Sequence, residues 1–244
     1  MRELLAEGYR RLFKGKRFYI VLSVIVGFAV LVLSFVKVFD SDHTARADGM
    51  LFMMTGTLPL LISIAAGLLI VQDYRNNTVR NKIIIGHSRT NIYLANLIVS
   101  VTVAVIYQLA FWLTVLALGY ILLQFEFFPC AEVFANMGIA ILIQLTFTSI
   151  IVFFCNTMRN VGGFVISLIM HEVVLMMSPI MLLIKSEKVQ DFIGNCLPSF
   201  QVSIVEYNYT KFPDGLPVIL IADAVIILVT TIGGILLFNK SDLK

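Results

Sequence analysis

Groups able to do chemistry are few and scattered along this sequence. Its three histidines, His43, His87 and His171, are widely separated, and its three cysteines, Cys130, Cys155 and Cys196, lack metal-ligand spacing. Cys130 and Cys196 can form a disulfide if the segments that carry them meet. Asp40-Ser41-Asp42-His43 offers oxygen ligands for a weakly held cation, although a solvated loop has the same composition. No phosphate-binding G-x-x-x-x-G-K-[ST] loop, no G-x-G-x-x-G turn, no H-E-x-x-H and no G-x-S-x-G is present. The expectation is therefore no catalytic centre and no metal site, and the chain does not read as an enzyme. One group sits where its setting demands an explanation: Glu172, beside His171 inside an apolar run. A carboxylate in mid-bilayer costs several kcal/mol unless it is protonated, paired or wet. Glu172 either lines a transport path or packs against a neighbouring helix. Asp223, about two turns into the last apolar run, is placed to meet the mouth of such a path.

The elements that would carry these groups follow from composition. Of 244 residues 59% are hydrophobic and 14% charged, against about 25% charged in soluble domains. The charges cluster, leaving six apolar runs at 18–36, 50–71, 92–123, 133–155, 161–184 and 216–238. Each is long enough to cross a hydrocarbon layer of about 30 Å as a helix. Soluble, disordered and disulfide-framework classes are excluded. Leu, Ile, Val and Phe interspersed with Gly suit helices better than the alternation of a membrane barrel. The run 92–123 exceeds the bilayer's needs, so its first turns should project or the helix should tilt. The expected fold is an all-α integral membrane protein, one membrane domain over 1–244 with no internal repeat and no appended soluble domain. Gln108 and Gln144 can bond across helices, Gly162-Gly163 and Gly233-Gly234 permit close approach, and Pro59 and Pro179 permit kinks. The methionines Met170, Met176, Met177 and Met181 suit adaptable packing.

Orientation follows from Lys and Arg in the flanks. Residues 1–17, 72–91, 156–160 and 239–244 carry thirteen of them, while 37–49, 124–132 and 185–215 carry five: Lys37, Arg46, Lys185, Lys188 and Lys211. Both termini are expected in the cytoplasm. Residues 1–17 lack the small-residue pattern of a cleavable signal. Leu5, Tyr9, Leu12 and Phe13 share one helical face, with Arg2, Glu3, Arg10 and Lys14 largely elsewhere. That pattern suits an amphipathic helix in the headgroup layer, in contact with membrane lipids. The alternative is a basic tail that only sets topology.

The segment 72–91 carries the most positive information. Asn77 or Thr78 can cap a short helix, Val79, Ile83 and Ile84 give it an apolar face, and Gly86 can stop it. Ser88 can cap the next helix. Arg75, Arg80, Lys82 and Arg89 surround a single acid, Asp73. The segment is either a positive anchor with an ordinary turn or a docking element.

Here the sequence resembles the permease subunits of ATP-binding-cassette exporters of the type-2 family, a group of drug, bacteriocin-immunity and peptide exporters. Asp73 matches the family's acidic residue, and Thr78-Val79-Arg80 the start of its short cytoplasmic helix. Gly86-His87-Ser88-Arg89 matches the following turn, and Ile92-Tyr93 the entry to the third span; Asn77 stands where Gly is usual. The resemblance extends to the layout: an amphipathic entry helix, six spans, both ends inside and a long outer loop at 185–215. That loop, with its apolar 192–194 and 196–200 stretches, resembles the short membrane-dipping helices that similar exporters place before their last span, or is an ordinary folded loop.

The resemblance implies a coupling helix that seats in the cleft of a separate ATPase subunit, which binds the ATP and Mg. This chain itself would hold no cofactor. It implies pairing with a second permease, identical or related, outward movement of an amphipathic peptide, drug or lipid-like cargo, a bacterial plasma membrane, and no nucleic acid. Asp73, Arg75, Thr78, Arg80, Gly86, Ser88, Arg89 and Tyr93 would position that helix, with Val79 and Ile83 as its apolar anchors. His171, Glu172 and Asp223 would belong to the substrate pathway. Two other readings stand beside it. One is a proton-driven secondary transporter using His171, Glu172 and Asp223; the other is a non-transporting membrane scaffold or sensor.

Overall fold

The computed structural model describes residues 1–40, 45–176, 185–213 and 215–240, with the backbone alone for His171 and Leu175. The chain is all-helical among the described residues, with one isolated bridge between Arg46 and Gln124. Helix α1 covers Arg2–Lys14, and a single extended residue, Gly15, separates it from α2, Lys16–Phe39. Then come α3 (Leu58–Arg75), α4 (Thr78–Ile84), α5 (Arg89–Leu122) and α6 (Ala131–Met158). The last are α7 (Val161–Met176), α8 (Glu187–Cys196), α9 (Pro198–Tyr207) and α10 (Leu216–Lys240).

Five helices, α2, α3, α5, α6 and α10, are long and apolar enough to cross a membrane. The chain is thus a helical multi-pass membrane protein. The fifth apolar run is represented by α7, sixteen described residues; its remainder, with Met177, Pro179 and Met181, lies outside the described residues, as do 41–43 of the Asp40–His43 motif. Asp40 itself accepts a hydrogen bond from Ala45 N–H at 2.9 Å.

The second span departs from the sequence reading. It was expected over 50–71, yet the helix begins at Leu58 and continues to Arg75. Residues 49–51 form a 3₁₀ turn and the chain then passes through turns to Thr57. Pro59 in the first helical turn explains the start, because proline costs nothing where no N–H partner exists. Apolar composition alone cannot separate helix from buried turn. Non-helical backbone at such depth survives only where protein satisfies its polar groups. Here Trp112 Nε1 donates to Leu51 O at 2.8 Å, and Gln144 Nε2 donates to Thr55 O at 2.8 Å. Residues 63–67 form a π turn within α3. The 185–215 segment folds into α8 and α9, with Pro198 opening α9.

Helix α6 is the centre of the bundle. It packs against α3, α5, α7, α9 and α10, and 67% of its most apolar stretch is buried, against 22% for α2 and 17% for α10. The two outer helices present apolar side chains such as Leu31, Phe35, Leu228 and Ile232 outward. Hydrocarbon solvates such faces without cost. Towards the bundle α2 buries Phe18, Val21, Ile25, Ala29 and Leu33, a helical stripe that lies on α5. Gly163 allows α7 to close on α6, since a Cβ there would fall 2.6 Å from Phe154 O. Of the two glutamines expected to bond across helices, Gln144 does so; the amide of Gln108 is buried with no hydrogen-bond partner among the described residues.

At the end opposite α1, buried Asp48 organises the turn between α5 and α6. Its carboxylate accepts the backbone N–H groups of Glu126, Phe127 and Phe128 at 2.8, 3.1 and 2.8 Å. Asn136 Nδ2 donates to Tyr209 O and Lys211 O at 3.2 and 2.9 Å, tying α6 to the segment after α9. Cys130 and Cys196 are free thiols here, so no bridge contributes. Replacing Asp48→Asn removes acceptor capacity and buries an amide donor in its place. We expect a loss of about 2 kcal/mol or more, seen as a lower Tm in detergent and faster proteolysis within 124–130. An unchanged Tm would refute the clamp.

Candidate functional site: the α1–α3–α4 junction

The junction is built from the end of α3. Asp73 sits in its last turn and is 3% exposed. The chain then reverses at Asn76-Asn77, and Asn77 adopts the left-handed φ of 56°. Asn tolerates that conformation better than any residue except Gly. Helix α4 starts at Thr78; no side chain caps it. It ends in a Schellman turn: Gly86 (φ 103°) donates to Ile83 O at 3.0 Å and His87 N–H donates to Lys82 O at 3.1 Å. Ser88 Oγ then accepts Asn91 N–H at 3.3 Å and opens α5.

Helix α1 closes the site from the side. Leu4 and Leu12 are buried, Gly8 lies against Val99 of α5, and Tyr9 Oη shares a 2.8 Å hydrogen bond with Thr102 Oγ1. This docks α1 onto protein as well as leaving it a face for lipid. Phe13, read as part of the apolar face, is largely exposed, and its ring meets Phe18 edge-on at 5.3 Å between centroids.

Between these helices lies a closed ring of alternating charge. Arg11 pairs with Asp73 Oδ1, and Lys82 Nζ lies 3.3 Å from Asp73 Oδ2. Lys82 also meets Glu7 at 3.4 Å, and Glu7 meets Arg11 at 3.8 Å. Two acids and two bases therefore neutralise one another across three helices. Burying Asp73 and Lys82 is costly, and the Coulomb gain offsets that cost only because each charge has two partners. The consequence is geometric: the four side chains tie α1, α3 and α4 to one another.

The other residues singled out in the sequence divide into three groups. Val79 and Lys82 face inward, with Val79 1% exposed and Ile83 half-buried. Val79 is thus a packing residue of this chain and does not present itself to a partner. The accessible face of the junction carries Arg75, Arg80, Ile84 and Ile85, the two isoleucines 72% and 77% exposed. Thr78 is half-buried at the helix start.

Arg89 and Tyr93 turn elsewhere. Arg89 Nη1 donates to Phe238 O and Asn239 O at 3.2 and 3.0 Å, placing a cation on the C-terminal carbonyls of α10. Tyr93 Oη donates to Thr230 O at 3.1 Å, and the ring occupies the space that a Cβ on Gly234 would need. Both residues lock the start of α5 to the end of α10.

Of the residues expected along a pathway, Glu172 and Asp223 do not pair with each other among the described residues. Asp223 is fully buried and its Oδ1 accepts Gln201 Nε2 at 3.4 Å, so it faces α9 and does not open to water. Glu172 is half-buried on α7, and no hydrogen bond or ion pair joins it to Asp223 among the described residues. The side chain of His171 lies outside the described residues.

Sequence reasoning missed Arg11 as a partner of Asp73 and Glu7 as the second acid of the ring, and placed Lys82 only among the bases around Asp73. The signal was partial: Glu7 and Arg11 stand four apart on one helix face, and Asp73 is the single acid of a basic segment. It also missed Asn156, whose Oδ1 accepts Tyr74 Oη and Asn96 Nδ2, each at 3.0 Å, joining α3, α5 and α6. The chain matches no known protein-family profile and no curated protein.

Replacing Asp73→Asn leaves Arg11 and Lys82 without their shared anion. We expect a loss of about 3 kcal/mol in the docking of α1 and α4. Amide exchange should rise together in 2–14 and 78–84 while α6 stays protected. Exchange confined to only one of the two helices would break the ring assignment.

Proposed function

We propose that this chain is the membrane-spanning half of an ATP-driven exporter. It pairs with a second permease and with separate ATPase subunits to move an amphipathic peptide, drug or lipid-like cargo outward. Six spans and cytoplasmic termini belong to this reading. The observation that carries it is α4: a seven-residue helix pinned by buried charge, with an apolar tip left uncovered. Ile84 and Ile85 lie in open view next to exposed Arg75 and Arg80. Two adjacent exposed isoleucines in a basic surface fit an apolar cleft with an acidic rim, and an ATPase subunit offers such a partner. The docking residues on this reading are therefore Arg75, Arg80, Ile84 and Ile85, with Val79 and Asp73 holding the helix from below.

Force would pass from α4 through Lys82 and Asp73 to the end of α3, and through Glu7 and Arg11 to α1. A partner shifts such a bundle only if it binds α4 differently in its ATP-bound and ATP-free states. Glu172, half-buried in α7, is the residue available to a cationic cargo, while Asp223 acts in packing.

Replacing Ile84→Asp together with Ile85→Asp should weaken ATPase co-purification by at least about 100-fold, since two apolar anchors are lost, with the Tm of the isolated chain unchanged. Val79→Asp should lower the Tm as well. Survival of the complex with both isoleucines replaced ends the docking assignment, and co-purification without any cargo flux leaves a scaffold. Glu172→Gln should reduce export of a cationic cargo several-fold with pairing of the permeases intact; undiminished export removes Glu172 from the pathway.

A further inference from the structure

A cavity of about 550 Å³ opens at the elbow where α1 passes into α2, with one wall formed by α3. Its rim carries five cations, Arg10, Arg11, Lys14, Lys16 and Arg17, and no Asp or Glu lines it. Arg11 is already committed to Asp73 and Glu7. Arg10, Lys14, Lys16 and Arg17 are exposed, and none forms an ion pair with a carboxylate among the described residues. Four cations held around one concavity repel each other unless an anion enters.

The remaining wall is of different character. Half-buried Leu69 supplies apolar surface there, backed by the buried side chains of Leu12, Phe18 and Ala65. Leu69 and Ala65 belong to a spanning helix, and Phe18 stands in the first turn of another. The cavity thus has a cationic mouth at the level of α1 and an apolar side that continues into the spans. A free inorganic anion would satisfy the mouth and leave the apolar side in water. A zwitterionic lipid brings its own cation and leaves the excess charge uncompensated.

We propose that this cavity binds the headgroup phosphate of an anionic phospholipid from the leaflet in which α1 lies, with an acyl chain against Leu69. Basic pockets beside spanning helices have the charge and depth for such headgroups. The assignment is independent of any ATPase. An occupied cavity would fix the angle between α1 and α2, and with it the position of Arg11 in the charge ring.

The full chain, reconstituted in nanodiscs of mixed phosphatidylglycerol and phosphatidylcholine, is delipidated and its retained lipid counted by native mass spectrometry. The wild type should keep one phosphatidylglycerol per chain, at least tenfold over phosphatidylcholine. Arg10→Gln, Lys14→Gln and Arg17→Gln combined should abolish the preference. Arg10→Lys with Arg17→Lys should keep it, as should a control with equal charge loss, Arg75→Gln, Arg80→Gln and Lys240→Gln. Equal retention of both lipids by the wild type overturns the proposal whatever the variants do. So does an equal loss in the control, which would mean diffuse attraction, or displacement of the lipid by excess inorganic phosphate.

Discussion

A carboxylate cut off from water must be met by cations, and at Asp73 those cations come from two different helices. That requirement organises one whole end of the molecule. Arg11 can reach Asp73 only if α1 lies alongside α3, and Lys82 can reach it only if α4 folds back beneath. Glu7 then balances both bases. The ring adds little net stability, because desolvation consumes most of its Coulomb energy. Its effect is directional: each charge fixes its helix against a named partner, which non-directional apolar contacts do not.

The opposite end solves a related problem with the roles reversed. There, irregular backbone must find acceptors and donors away from water. Asp48 takes three consecutive N–H groups, while Trp112 and Gln144 reach out from spans to the carbonyls of Leu51 and Thr55. At both ends a polar side chain buried in an apolar setting decides where the chain turns. The middle of the bundle is held by shape, with α6 enclosed and α2 and α10 turned outward.

Much of this was legible in the sequence. Five of the six apolar runs contain helices long enough to cross a membrane, Gly86 and Ser88 marked the boundaries of α4 and α5, and the amphipathic pattern of 1–17 marked α1. The start of α3 was not, since 50–57 is as apolar as a helix and its departure depends on hydrogen bonds from residues some sixty and ninety positions away, Trp112 and Gln144. Nor was the charge ring, whose members lie in three separate segments. Periodicity reports which face of a helix is apolar; it carries no information about which buried polar atom meets which. Val79 shows the same limit: its apolar character was plain, but whether it faced its own chain or outward was not.

Helix α5 is a rod of 34 residues, about 51 Å long, and its first turn follows α4 after only a four-residue corner. The same first turns clasp the tail of α10 through Arg89 and Tyr93. The small surface helix is consequently joined to two long helices at one corner, to α5 by the chain itself and to α10 by three hydrogen bonds.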